Sequence, residues 1–424
     1  MRRNFSMRAR ELVAHPRARR RGAGFVCALA ACASLVAVPW CPQRAVAATS
    51  PERSPPCPAQ SATTDRPIVV GDLSTLSGRF HFPESAQAAT AAFDAVNAQC
   101  GINGRRIAYD VVDDAGDPDK AAELARVLIN QRGAVALVGG TSAVSCAVNE
   151  ALFASAPIAA IPGIGTLPRC FDSPNSAPPN TGVFAITTLA LKFAVRHLAP
   201  KKLCLVGNAH PNIPGNFRDP VEHFQKITGS TATIVNQELH IDDDPGAVVE
   251  QLQSAQCDVV FVGTLAKYAA RLADAIARAP SMRLKLVLAP EAYTTAFASR
   301  LDPALDGRVY ATTDMDFLDS TKPGMTRIRT RLQGAGIELS PFAVGGDLAA
   351  QILVDVLRSM RGTIDRETVL NALRIMPPYD TQGVTAFSYV FAWTDDRRSA
   401  PAIHVVVWRN GAWAHATEDW ITLK

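Results

Sequence analysis

From Pro67 onward, short β-branched runs alternate with longer amphipathic stretches, and the alternation occurs twice. The runs "PIVVGDL" (67–73), "RIAYDVVDD" (106–114), "AVALVGG" (134–140) and "IAAIPG" (158–163) are separated by helical patterns near 84–98, 118–131 and 143–155. Short apolar runs spaced by segments of helical period specify βαβ units and a parallel sheet. A second series follows, with "KKLCLVG" (201–207), "TATIVNQEL" (231–239), "CDVVFVG" (257–263) and "LKLVLAP" (284–290) spaced by helical patterns near 215–228, 245–255 and 265–278. The fold class is therefore α/β, with two Rossmann-like lobes built on parallel-type sheets. "GVFAITTL" (182–189) reads as a crossing between them and "RVYATTDM" (308–315) as the return. Helices over 345–360 and 366–375 and a hairpin over 401–413, turning at Asn410-Gly411, complete the chain. The division expected is 67–185 with about 313–380 in one lobe, and 186–312 with about 381–424 in the other. A chain of 424 residues that is 48% hydrophobic has the material for this, at roughly 150 residues per unit.

The first 47 residues read differently. Arg17, Arg19, Arg20 and Arg21 precede an apolar run from Phe25 to Trp40, and small residues "AVA" follow at 45–47. Basic, apolar and small residues in that order form an export signal, cleaved near Ala47 or Ala48. Two other readings stay open: a retained leader as a membrane anchor, and lipid attachment at Cys32, where "LAAC" (29–32) matches a lipobox. Residues 48–66 are rich in Pro, Ser and Thr and read as a linker. Residues 1–47 hold nine Arg and one Glu, so the net charge of +4 for the whole chain becomes −4 for the remainder. The basic balance belongs to the leader, and nothing in the composition of the rest favours nucleic acid.

Six cysteines remain beyond the leader: Cys57, Cys100, Cys146, Cys170, Cys204 and Cys257. An even number in an exported chain permits disulfides, and no spacing here suggests zinc. Cys146 and Cys170 are the favoured pair, because both flank loops that should lie close together. Cys204 and Cys257 sit in or beside strands and read equally as buried thiols; pairing of Cys57 with Cys100 is left open.

Between 110 and 119 the chain places Asp110, Asp113, Asp114, Asp117 and Asp119 behind an Asn103-Gly104 turn. A calcium loop needs alternating oxygen ligands, a central Gly and a closing Glu, and Ala115 and Leu124 occupy the wrong places. Asp117-Pro118 instead reads as the N-cap and first position of a helix, with Asp119 favourable to its dipole. Strand-end and capping roles account for most of the run.

The segment "GINGRRI…VVDDAGDPDKAAELARVLI…VALVGG" also resembles the first lobe of type I periplasmic binding proteins, specifically the branched-chain amino acid (leucine/isoleucine/valine) family of ABC importers. "IVVGDLSTLSG" (68–78), "VVFVGTLAKYAARL" (259–272), "LAPEAY" (288–293) and "YDTQGVTAFS" (379–388) match in order, so the likeness covers about residues 67–424. The resemblance implies three hinge crossings, a periplasmic or extracytoplasmic location, and no cofactor. Its partners would be an amino acid or related small carboxylate as ligand and an ABC permease in the membrane, with the receptor acting as a monomer. It places ligand contacts on Ser77 after the first strand, on Thr141 and Ser142 after "LVGG", and on Gly163 and Thr166 after "AIPG". Ser142 reads equally as a helix N-cap. Glu291 in "APEAY" stands where the family puts an acid on the ligand's ammonium.

The sequence also departs from that pattern. Ile213-Pro214-Gly215 stands where Tyr-Gly is common, Leu265 where an aromatic is common, and Ala143 where the family serine falls. "PGIGT" is one residue longer than the usual "PGAT". His210, Asn212 and Tyr268 are then candidate substitutes lining the second lobe. A sensor subunit docking on a membrane receptor is the alternative function, and an exported α/β enzyme a third. For the enzyme there is no P-loop, nucleophile elbow or H-E-x-x-H, and "GIGTLP" (163–168) lacks the third glycine of a dinucleotide fingerprint. "HIDDDP" (240–245) reads as an acidic turn and N-cap.

Overall fold

The computed structural model describes residues 66–209, 217–279, 281–391 and 401–423; Cys57, His210, Asn212, the expected leader and most of the expected linker lie outside the described residues. In the first sheet, β1 (Ile68–Ser74), β2 (Ile107–Asp113), β3 (Ala136–Val138) and β4 (Ala159–Ile161) are all parallel, in the order β2-β1-β3-β4. In the second, β5 (Leu203–Asn208), β6 (Thr233–Leu239), β7 (Val259–Gly263), β8 (Lys285–Leu288) and β9 (Val309–Thr313) are parallel. Two antiparallel strands, β10 (Ala402–Arg409) and β11 (Ala412–His415), extend this sheet beyond β9, and β12 (Ile421–Thr422) pairs with the start of β10. In each sheet the first strand sits between the second and the third. The strand order thus reverses beside β1 and beside β5, which opens a crevice at the carboxyl ends of both sheets.

Local chemistry starts the helices where the sequence suggests. The Asp117 side chain accepts from the Asp119 and Lys120 N–H groups ahead of Pro118–Arg126, and Asp244 and Ser340 cap Pro245–Ser254 and Pro341–Ser359 in the same way. Asn410 and Gly411 both have positive φ, which the tight turn between β10 and β11 requires.

Long-range packing decides the rest. The helix Pro341–Ser359 lies against Pro83–Ala98 in the first lobe, although more than two hundred residues separate them. Glycine permits the contact: a Cβ on Gly346 would stand 2.0 Å from the Ser85 carbonyl oxygen. The same core holds Val384, Tyr389 and Phe391, so the chain stays with the first lobe past residue 380, where the division was expected.

Two elements differ from expectation. "GVFAITTL", read as a crossing between the lobes, belongs to a helix, Val183–Phe193. Its Ile186, Leu189, Ala190 and Phe193 pack on the second lobe's sheet beside Leu205 and Phe261, and burial nearly all round erases the period that would have marked it. The helix expected over 143–155 is two short pieces, Ser145–Val148 and Glu150–Ser155, broken at Asn149.

The crossing itself is narrow and tied together at Thr181. The Thr181 N–H donates to Asp314 at 2.9 Å. The Thr181 hydroxyl donates to the Ala402 carbonyl at 3.1 Å and accepts from the Ala402 N–H at 3.4 Å. Residues before the second lobe, after β9 and at the start of β10 therefore meet at one side chain.

Two disulfides are formed among the described residues. Cys146 and Cys170 are joined at 2.05 Å. Cys204 and Cys257, readable from the sequence as thiols, are also joined, across 53 residues; loops of this size limit the unfolded chain by about 4 kcal/mol. Gly346→Ala should separate the two packed first-lobe helices and lower stability by about 1–3 kcal/mol, read as a lower denaturant midpoint at unchanged slope.

Candidate functional site

The loops after the parallel strands of both sheets face each other across a cavity of about 370 Å³. From the first lobe come Arg79, Phe80 and Phe82 after β1, Ala115 and Gly116 after β2, Ala143 and Val144 after β3, and Ile164 and Thr166 after β4. Phe342 joins them from the start of Pro341–Ser359. The second lobe contributes Asn208 at the end of β5, Phe217, Phe261, Thr264 and Leu265 around β7, and Ala289 to Glu291 after β8. Asn180, Val183 and Asp314 close the hinge side. The wall is predominantly apolar and aromatic, the usual make-up of a small-molecule site.

Beyond Phe82, Leu265 and Phe342 a second chamber of about 460 Å³ opens, lined by His81, Glu84, Asp242, Lys267 and Glu338, with Arg79 and Glu291 shared by both. Two contacts bridge the lobes there. Arg79 pairs with Asp242 at 3.1 Å, and the Ala296 N–H donates to Glu338 at 2.9 Å. Both partners of the ion pair are exposed, so it contributes at most about 1 kcal/mol. A further hollow of about 540 Å³ lies at the hinge, lined by residues that include Pro179, Thr181, Val390 and Ala402. The interlobe cavity is the candidate site.

Glu291 is the unusual group in it. Its Oε2 is buried and has no hydrogen-bond partner among the described residues. Burial raises its carboxyl to about 7, opposed by its own backbone N–H and reinforced by the Asp314 and Glu84 carboxylates. Burial also raises Asp314, against hydrogen bonds from the Thr181 N–H, its own N–H, the Asn180 side chain and the Gly182 N–H.

The other expected contacts divide sharply. Thr166 lines the cavity, with its hydroxyl donating to the Ser142 carbonyl at 2.8 Å. The Ser77 hydroxyl donates to Asp113 at 2.5 Å. The Ser142 hydroxyl donates to Asp114 and accepts from the Val144 and Ser145 N–H groups, which fixes the loop ahead of the helix Ser145–Val148, whose N-cap position is Val144. Thr141 is fully buried, its hydroxyl unpartnered among the described residues, and does not line the cavity. Gly163 is packed so that a Cβ would meet Ser85 Oγ at 2.1 Å, a role in helix contact and not in the wall. Tyr268 is a correction: its ring is 0% exposed in the second-lobe core, among the apolar residues that back the sheet. His210 lies outside the described residues.

Asp113 and Asp114, read from sequence as strand-end residues, turn out to organise the site. Asp113 accepts from the Leu76, Ser77 and Ala115 N–H groups as well as from the Ser77 hydroxyl. Against the upward push of burial, these bonds hold its carboxyl at about 2. Asp114 is 0% exposed and accepts from the Thr75 hydroxyl at 2.6 Å, the Gly116 N–H at 2.8 Å and the Ser142 hydroxyl. Missed altogether were Phe80, Phe82, Phe342 and Asp314, which reach the cavity from three separate places. Only Phe80 and Phe82 had a local signal, by following the first ligand loop.

No curated protein matches the sequence. Solved structures match over most of their length. LivJ, a branched-chain amino acid transporter substrate-binding protein from Streptococcus pneumoniae in complex with isoleucine, is 15% identical with a TM-score of 0.68, covering 84% of this chain and 99% of its own. A branched-chain amino acid ABC transporter protein from Thermus thermophilus with bound valine is 16% identical with a TM-score of 0.69, over 84% and 96%. A fatty acid ABC transporter substrate-binding protein from Thermomonospora curvata is 19% identical with a TM-score of 0.70, over 84% and 92%. At these identities the likeness is one of fold. The sequence profile described as periplasmic binding protein matches residues 67–412. With two parallel sheets facing each other across an apolar cavity and a profile match over most of its length, the chain belongs to the periplasmic binding protein family.

Proposed function

We propose that the chain is the extracytoplasmic solute receptor of an ABC importer, closing its two lobes on a small solute that has an apolar body and an amino group, and acting as a monomer that delivers to a membrane permease. The observation that carries the reading is the buried Glu291 Oε2, without a hydrogen-bond partner among the described residues, in a predominantly apolar cavity between the lobes. An ammonium group there would offset the cost of burial through a charge-assisted hydrogen bond. The similar structures support the importer role, since they are transport proteins whose bound or named solutes are isoleucine, valine and fatty acids.

Closure follows from where the contacts lie. A solute touching Phe82 and Phe342 on one side and Phe261 and Glu291 on the other makes its full set of contacts only when the lobes approach. It therefore shifts the population toward the closed state. The Thr181 junction provides the pivot. Saturating solute should raise the unfolding temperature, shrink the radius of gyration in X-ray scattering, and bind about ten-fold or more weakly to Glu291→Ala. A solute that binds without compaction, or equally well to the variant, would count against the reading.

The same carboxyl predicts a pH effect without ligand. Its folded value of about 7 lies above the ordinary 4.5, so its contribution to stability is complete below about pH 4.5 and is lost as pH rises through 7. Glu291→Gln should stabilise the ligand-free protein at about pH 8 by on the order of 1–3 kcal/mol, and change little at about pH 4. Urea unfolding at the two pH values measures both.

A further inference from the structure

The hydroxyls of the cavity wall already donate to protein acceptors. Thr166 donates to the Ser142 carbonyl at 2.8 Å, Thr187 to the Val183 carbonyl at 2.9 Å, and Thr264 to Asn208 Oδ1 at 2.5 Å. A hydroxyl has one proton to give, so toward a solute these three present lone pairs. Behind the first-lobe wall the pattern repeats. Asp113 and Asp114 between them take the Ser77, Thr75 and Ser142 hydroxyls and the Leu76, Ser77, Ala115 and Gly116 N–H groups. The Ala143 N–H donates to Thr75 at 2.9 Å, and the Ala143 side chain that faces the cavity is a methyl. Thus these hydroxyls and amides of the first-lobe loops go to two carboxylates of the chain itself; the Thr141 hydroxyl is unpartnered among the described residues, but it is buried and does not line the cavity.

The charges point the same way. Glu291 and Asp314 stand on the inner wall, and the adjoining chamber adds Glu84, Asp242 and Glu338 against Lys267 and His81. Arg79, the one cationic side chain on the inner wall among the described residues, is paired with Asp242. A free carboxylate entering this cavity would meet acceptors and like charge, and would lose its hydration without replacement. An ammonium meets the opposite: Glu291 Oε2, buried and unpartnered, and hydroxyl lone pairs around it.

We propose that the solute is an apolar amine without a free carboxylate, its ammonium held by Glu291 and its aromatic or branched alkyl body packed among Phe80, Phe82, Phe342 and Phe261. This rests on the receptor reading above and narrows it: the amino-acid expectation survives in its amine half and fails in its carboxylate half.

The test uses two sets of three solutes that share a body and differ at the ends: 2-phenylethylamine, phenylalanine and 3-phenylpropionate, and isopentylamine, leucine and 4-methylpentanoate. Isothermal titration of the purified protein should find an amine binding at least ten-fold tighter than the amino acid of its set, with the carboxylate not saturating. Glu291→Gln should remove that preference. Ala143→Ser, which places a hydroxyl on the wall without touching Asp113 or Asp114, should narrow the gap between amine and amino acid. Tighter binding of phenylalanine or leucine than of its amine overturns the proposal and leaves the receptor reading intact; preferential binding of either carboxylate overturns both the proposal and the amino-group part of that reading, leaving the importer role. If none of the six binds, the proposed substrate class is wrong; the receptor reading itself falls only if a wider panel of apolar solutes also produces no compaction in scattering.

Discussion

The Asp114 carboxylate holds together the three loops on which the first half of the site depends. It is fully buried at the end of β2, and its bonds come from Thr75 after β1, Gly116 after β2 and Ser142 after β3. A buried carboxylate is costly unless its oxygens are occupied, and here the compensation is geometric: each donor sits on a different loop. Binding the charge therefore sets the relative positions of the loops. Asp113, one residue earlier and pointing to the other face of the strand, does the same for Leu76, Ser77 and Ala115 from the solvent side. The aspartate run is a scaffold, and its consequence is that the loop donors are taken before any solute arrives.

The hinge obeys a comparable economy of parts. Three stretches of chain connect the lobes, and a single threonine touches the other two. Asp314 belongs both to that junction and to the cavity wall. Solute contact and hinge geometry thus share a side chain, so a change at the solute reaches the pivot through one carboxylate and two backbone N–H groups. The buried cores on either side of the junction are built from separate residues, with Leu265 and Leu318 packed against both.

What was legible in the sequence follows from the range of the interactions involved. Strand periods, the Asp117 and Asp244 caps and the Asn410-Gly411 turn are local, set by neighbours within a few positions, and appear where the residues suggest. The helix Val183–Phe193 was obscured because it is buried nearly all round, so its apolar residues show no period to read. Tyr268 was a candidate substitute for the aromatic that the family has where this chain has Leu265, yet its position in the first turn of the helix Ala266–Ala277 puts the ring in the core. Phe342 could not be foreseen, since nothing near it in the chain indicates that its helix begins beside β1's loop.

The sequence by itself determined the α/β class, the two series of βα units and the residues that start and stop them, because periodicity and capping act over single turns and strands. Tertiary structure alone decided which loops share a carboxylate, which hydroxyls keep a proton to donate, and that Glu291 Oε2 is buried at a predominantly apolar cavity without a partner among the described residues. Those are properties of atoms brought together from distant positions, where burial and the exclusion of water set the strength of each hydrogen bond and charge.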